Sequence, residues 1–363
     1  MVLRKTLILL ILLVAGVMIS FECLACTNFT IKAEDDTVVR GRSMEFAMDV
    51  DSDIIAVPRG YVLTGTLPNG GQGMQWKAKY GFVAANAFDV VAAIDGINEK
   101  GLTFAALYFA GFAEYQKFKP EERDMGLASW EFGAWVLSKF RNVDEVVKHI
   151  NEVRIVPVIQ EHLGIVVPLH YAVADATGRG IVIEPVGGRL KISDNRIGVL
   201  TNAPTFDWHM TNLRNYVTLR PEDAPAITLG DVALEGISKG SGMHGLPGDG
   251  TSPSRFVRAA FLKSWCLPPA SGKEAVLQSI RLMNGFFIVK GDCYRVIENV
   301  PNYQITQWET FTDLTHRRYY YRTYDNMTIR VVDLTEIDFS SGPVKRYPME
   351  EPMRFTDVTG KLK

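Results

Sequence analysis

A chain of 363 residues, 47% hydrophobic and 22% charged, can bury a large core as one big domain or two ordinary ones. Its formal net charge of -2, with basic residues scattered rather than clustered, excludes the electrostatic footprint of a nucleic-acid binder. No charge run, low-complexity tract or fixed-period repeat interrupts it, which sets aside acidic tails and solenoids.

The first 25 residues depart from this average. Arg4 and Lys5 precede an apolar run over 6–20, and the small residues Cys23 and Ala25 occupy the two positions that a signal peptidase inspects. A spanning helix wants about 20 apolar residues, and this run is shorter. The expectation is a cleaved signal over 1–25 and one domain over 26–363, exported to the periplasm or secreted, without stable membrane insertion. A cut after Ala25 makes Cys26 the first residue, so a thiol and an α-amine share one carbon: a nucleophile with its own base. The competing expectation is a lipid-anchored, non-catalytic binding protein. A lipoprotein signal, however, places Leu three residues before the cysteine and a small residue two before, where Cys23 and Leu24 stand in the reverse order.

The alternating, Thr-, Phe- and Ile-rich stretch 27–33 predicts a strand opening at Cys26, and 37–41 a second strand after the Asp35-Asp36 turn. Arg42 and Glu45 follow it. A third strand is expected over 53–58, a loop at Gly70-Gly71, and a hairpin of 90–94 with 103–109. Apolar spacing predicts helices over 127–140, despite Gly133, and over 142–153. Strands follow over 171–174, 180–184, 189–192 and 197–200, then a helix from about Asp207 and a long irregular loop over 221–250. A second helix pair is expected over 255–265 and 273–283, closing strands over 306–308, 318–322 and 329–333, and a surface tail over the last twenty residues. Blocks of strands alternating with helix pairs indicate an α+β, four-layer αββα sandwich rather than βαβ units.

Several motifs carry no chemistry. The G-x-G-x-x-G match at 240–245 neither follows a strand nor opens a helix. The six histidines show no metal-ligand spacing, and His149 and His209 read as helix-surface residues. No metal site is expected. Without Cys23 three cysteines remain: Cys266 and Cys293 either pair or are small buried hydrophobes, the second being preferred.

The constellation that remains is Cys26, Gly41-Arg42-Ser43-Met44-Glu45, Leu200-Thr201-Asn202-Ala203-Pro204 and Pro253-Ser254-Arg255-Phe256. In this order, across essentially all of 26–363, it resembles the choloylglycine hydrolase family of N-terminal nucleophile hydrolases, which contains penicillin V acylases and conjugated bile salt hydrolases. The resemblance implies the αββα fold, no cofactor and often a homotetramer. It implies Cys26 as nucleophile and, through its amine, base; Arg42 against the sulfur; Glu45 where the family usually carries aspartate, toward the amine; Asn202 and the Tyr108 backbone N–H for the oxyanion; and Arg255 completing the polar frame. Met44, Phe46 and Met48 would wall an apolar substrate pocket. The partner is then a small-molecule amide with an apolar acyl group, cleaved at a linear C–N bond through an acyl-enzyme, as in penicillin V acylases or bile salt hydrolases, with an acyl-homoserine lactone acylase as the alternative. The stretches 44–53 and 208–214 are more similar to the penicillin V acylase branch.

Overall fold

The computed structural model describes residues 25–362, so the expected export segment, apart from Ala25, lies outside the described residues. A strand does open at Cys26 (Cys26–Lys32) and turns back into Val38–Phe46, with Cys26 opposite Met44 and Asn28 opposite Arg42. The return strand runs past Gly41, so Arg42 and Glu45 lie inside it. Every one of its residues is buried. A strand covered on both faces loses the polar-apolar alternation by which its end could be read.

These two strands belong to a six-stranded antiparallel sheet. Its order is Val199–Leu200, Cys26–Lys32, Val38–Phe46, Ile305–Asp313, Arg318–Thr323 and Arg330–Asp333. A second, eight-stranded sheet runs Arg189–Asp194, Gly180–Val186, Leu169–Ala174, Thr103–Tyr108, Asp95–Asn98, Phe82–Ala85, Asp53–Val57 and Lys345–Pro348. Helices Ser252–Trp265 and Gly272–Met283 cover the first sheet, and helix Phe132–Lys139 covers the second. The result is the αββα sandwich expected from the block order. Gly133 is explained by that packing: a Cβ there would stand 2.1 Å from the Ala93 carbonyl oxygen, so only glycine lets the helix settle onto the sheet.

The two inner faces share a buried ionic knot. Arg40 and Arg42 reach from the first sheet to the carbonyls of Phe104 (3.2 Å) and Ala106 (2.6 Å) on the second. Asp95 lies between them, 2.5 Å from Arg40 and 3.8 Å from Arg42, and accepts from the hydroxyls of Tyr319 (2.7 Å) and Thr310 (3.0 Å).

The structure adds to or changes the local expectations in several places. The strand before the 99–101 turn is Asp95–Asn98 rather than 90–94, because the apolar run 90–94 is buried irregular chain leading into it. Gly70-Gly71 joins a hairpin, Val62–Thr66 with Gln72–Lys77. The long helices are shorter, Phe132–Lys139 and Val143–His149. The loop over 221–250 carries an exposed hairpin, Ile227–Leu229 with Val232–Leu234. The C-terminal stretch is not all tail: Lys345–Pro348 forms the edge strand beside Asp53–Val57. Its four residues are exposed, so no hydrophobic signal marks it.

Candidate active site

Cys26 is buried, with 3% of its surface exposed, and three segments converge on it. Its own strand supplies the sulfur. The end of strand Val199–Leu200 carries the chain into Asn202, and the first turn of helix Ser252–Trp265 presents Arg255. Asn202 Oδ1 accepts from the Cys26 N–H (2.7 Å) and from Arg255 (2.7 Å). Both partners are donors only, which fixes the orientation of the amide. Asn202 Nδ2 donates to the Tyr108 carbonyl at 2.9 Å, leaving its second proton available. Arg255 further donates to the Cys26 carbonyl (2.5 Å), Thr27 Oγ1 (2.9 Å) and the Gly250 carbonyl (3.0 Å). Burial pulls the Arg255 pKa down, opposed by the negative charge available from Glu45 and Cys26.

Arg42 stands opposite Asn28, two residues along from Cys26, so both side chains leave the same face of the sheet. Its guanidinium lies 4.7 Å from the Trp308 ring centre, and Nε and Nη1 have no hydrogen-bond partner among the described residues. Glu45 is buried as well. Its N–H donates to the Ala25 carbonyl (3.1 Å), its Oε1 accepts from Thr306 Oγ1 (3.2 Å), and Oε2 has no hydrogen-bond partner among the described residues. Burial pushes the Glu45 carboxyl up to about 8 against the pull of Arg255.

Two hollows meet at Tyr108. One is an apolar cavity of about 70 Å³ lined by Cys26, Met44, Glu45, Phe46, Ala106 and Tyr108 among others. The other is an open cleft of about 770 Å³ whose walls include Ala25, Asn202, Arg255, Arg258, Phe286 and Ile288. Of the three apolar residues expected around the substrate, the structure brings Met44 and Phe46 to Cys26. Met48 is 44% exposed and lines a separate groove beside Tyr303, because the chain has left the buried strand by then.

His209 is not the surface residue its helix suggested. It is fully buried, stacked on Phe256 at 4.5 Å, and its Nε2 donates to the Asn202 carbonyl at 2.9 Å. Desolvation lowers its pKa to about 4, so the ring is neutral. His170 does the same one residue earlier: Nε2 lies 2.9 Å from the Thr201 carbonyl and the ring stacks on Phe109. The two rings clamp the segment that carries Asn202. A hydrogen bond to a main-chain carbonyl leaves no spacing signature in the sequence; Trp208 and Met210, exposed on either side of His209, were the available hint of an inward position. Cys266 and Cys293 do not form a disulfide, and both are partly exposed rather than core hydrophobes.

The family model for linear amide C–N hydrolases of the choloylglycine hydrolase family matches residues 26–347. The chain belongs to that family. It is 32% identical over 336 residues to a bile salt hydrolase/transferase of Clostridium perfringens, covering 92% of this chain and 99% of the relative. It is 28% identical to a penicillin V acylase of Pectobacterium atrosepticum, covering 90% and 86%. Among solved structures it resembles a mutant conjugated bile acid hydrolase from Clostridium perfringens, with a TM-score of 0.82 at 31% identity over 92% of this chain and 99% of that one. It also resembles a penicillin V acylase from Agrobacterium tumefaciens, with a TM-score of 0.70 at 26% identity over 88% and 90%. Family membership makes this choloylglycine hydrolase relative an enzyme that hydrolyses carbon–nitrogen bonds in linear amides.

Proposed function

We propose that residues 1–25 are removed on export and that Cys26 then acts as an N-terminal nucleophile. The convergence of Asn202 and Arg255 on the main chain of residue 26 carries the proposal: polar groups from two distant segments are spent on the amide and carbonyl of this one residue. The α-amine takes the thiol proton, the thiolate attacks the substrate carbonyl, and the free N–H of Asn202 stabilises the oxyanion, with the Tyr108 backbone N–H as the second donor. The amine leaving group departs with the proton that the α-amine gives back. Water, deprotonated by the same amine, then hydrolyses the thioester. Arg42, on the sulfur's face of the sheet, favours thiolate; the ammonium form, by its own positive charge, draws the proton off the buried Glu45 carboxyl and is then held by it.

The acyl group lies against the Met44 and Phe46 wall, and the leaving group faces the open cleft. A cavity of about 70 Å³ must widen for an aryl-acyl group and further for a steroid acyl group, since apolar cavities of about 150 Å³ take a single benzene. This favours a compact aryl-acyl amide of the penicillin V kind. Conjugated bile salts are the second reading, supported by the similarity to bile salt hydrolases over nearly the whole chain. The exposed apolar row Ile227, Leu229, Val232 and Leu234 on a projecting hairpin supports a homo-oligomer, a tetramer by family resemblance. A panel of penicillin V, glycine- and taurine-conjugated bile salts and long-chain acyl-homoserine lactones, run with intact-mass analysis of the exported chain, tests these statements together. A chain blocked or lipidated at residue 26 defeats the N-terminal nucleophile, and one inert to the whole panel defeats the assigned reaction.

A further inference from the structure

We propose that Thr306 is a positioning residue that aims Glu45 at the α-amine of residue 26, a role that rests on the mechanism proposed above. Glutamate at this place is one methylene longer than the aspartate usual in the family, so its carboxylate needs a guide. The backbone provides one. Strand Val38–Phe46 and strand Ile305–Asp313 pair in register down to Met44 opposite Trp308, and then the register shifts so that Glu45 stands opposite Thr306 and Gln307 is looped out. In an unshifted ladder Glu45 would face Gln307, and Thr306 would fall opposite Phe46.

The hydroxyl is also directed. Thr306 Oγ1 accepts from the Ile288 N–H at 2.8 Å, and the Thr306 N–H donates to the Ile288 carbonyl at 3.1 Å. With Ile288 held on both sides, the single hydroxyl proton points to Glu45 Oε1, 3.2 Å away. Oε2 is then the oxygen left to meet the amine. Ile288 lines the open cleft, so the same residue that fixes the hydroxyl is part of the substrate wall. The charged or titratable groups around this carboxyl are Arg255 from the helix, Cys26, which lines the same cavity, and Glu309 farther along the Thr306 strand, the last paired with Arg322; the Ser43 hydroxyl on its own strand also favours the ionised form. A hydroxyl donating to Glu45 keeps it ionised to lower pH. Its loss moves protonation of the carboxyl upward and releases the amine.

The test uses the chain beginning at Cys26, with Thr306→Val, Thr306→Ala and Thr306→Ser. Turnover of the amide that the panel identifies is read alongside the pH dependence of Cys26 alkylation by iodoacetamide, followed by intact mass. Valine is expected to lower kcat roughly ten- to a hundredfold, the size of one hydrogen bond to a charged group, with KM within about threefold. It should also move both the acid limb of activity and the alkylation profile to higher pH, while serine restores both. Alanine, which adds no volume, answers the question if the valine variant does not fold. An alkylation profile that is the same in the wild type and in the folded valine or alanine variant overturns the proposal, and so does serine behaving like valine. If the wild type cleaves none of the amides, the alkylation profile alone decides the role of Thr306 and only the assigned reaction falls.

Discussion

Truncation of Asn202 separates two roles that one side chain combines. In Asn202→Ala the oxyanion loses a donor, which costs about 10²–10³ in kcat, or roughly 3–4 kcal/mol of transition-state stabilisation. The same change strips an acceptor from Cys26 N–H and Arg255, both at 2.7 Å, and a donor from the Tyr108 carbonyl at 2.9 Å. Leaving buried partners unpaired costs about 1–3 kcal/mol each, so the folded state should lose about 3–5 kcal/mol once the partners relax. Asn202→Asp keeps the acceptor oxygen toward Cys26 and gains charge beside Arg255, while a second oxygen replaces the N–H that met the Tyr108 carbonyl. Single-turnover kinetics with denaturant unfolding resolves the two: both variants should lose at least about a hundredfold in kcat, but only alanine should lose most of that stability. An aspartate variant that retains turnover within about tenfold would refute the side-chain N–H as oxyanion donor.

Cys26→Ser should keep the fold and unfolding midpoint while kcat falls by more than about a hundredfold, since a hydroxyl is a far poorer nucleophile than a thiolate; unchanged turnover in steady-state assay removes the nucleophile. Asp95→Ala should lower unfolding free energy by about 3–5 kcal/mol in urea titration, because Arg40 loses its partner at 2.5 Å and two buried guanidinium groups remain without an anion between them. His209, at about 4 in the folded chain against an ordinary 6.5, binds its proton less tightly when folded. Its contribution is complete above pH 6.5 and is lost as the pH falls toward 4. That amounts to about 3 kcal/mol, which melting curves across this window should show and His209→Gln should flatten.

The sequence disclosed the site's principal groups because they sit in short runs of unlike residues whose order along the chain is informative. Arg42 and Arg255 would each pass for a solvated surface charge; joined with a cysteine at an expected cleavage boundary they do not. The block order likewise disclosed the sandwich. No alternation marks the end of strand Val38–Phe46, which is buried throughout, and no apolar signal marks Lys345–Pro348, an exposed edge strand. Met48 enters the expected pocket wall through the family resemblance alone, and the strand that carries Met44 and Phe46 ends before it. His209 and Thr306 act through a main-chain carbonyl and a register shift, neither of which a residue pattern encodes.

The strand order also sets when during synthesis the enzyme can exist. By the time Arg255 leaves the ribosome, the candidate site's side chains from Cys26 to Asn202 have all been made. The strand that must lie against Val38–Phe46, Ile305–Asp313, has not, and neither has Lys345–Pro348, the last member of the other sheet. Loop closure over such spans is slow, so neither sheet can be completed before these late strands have been made. A chain cut short before Ile305 therefore carries the candidate site residues without the strand that sets Thr306 against Glu45.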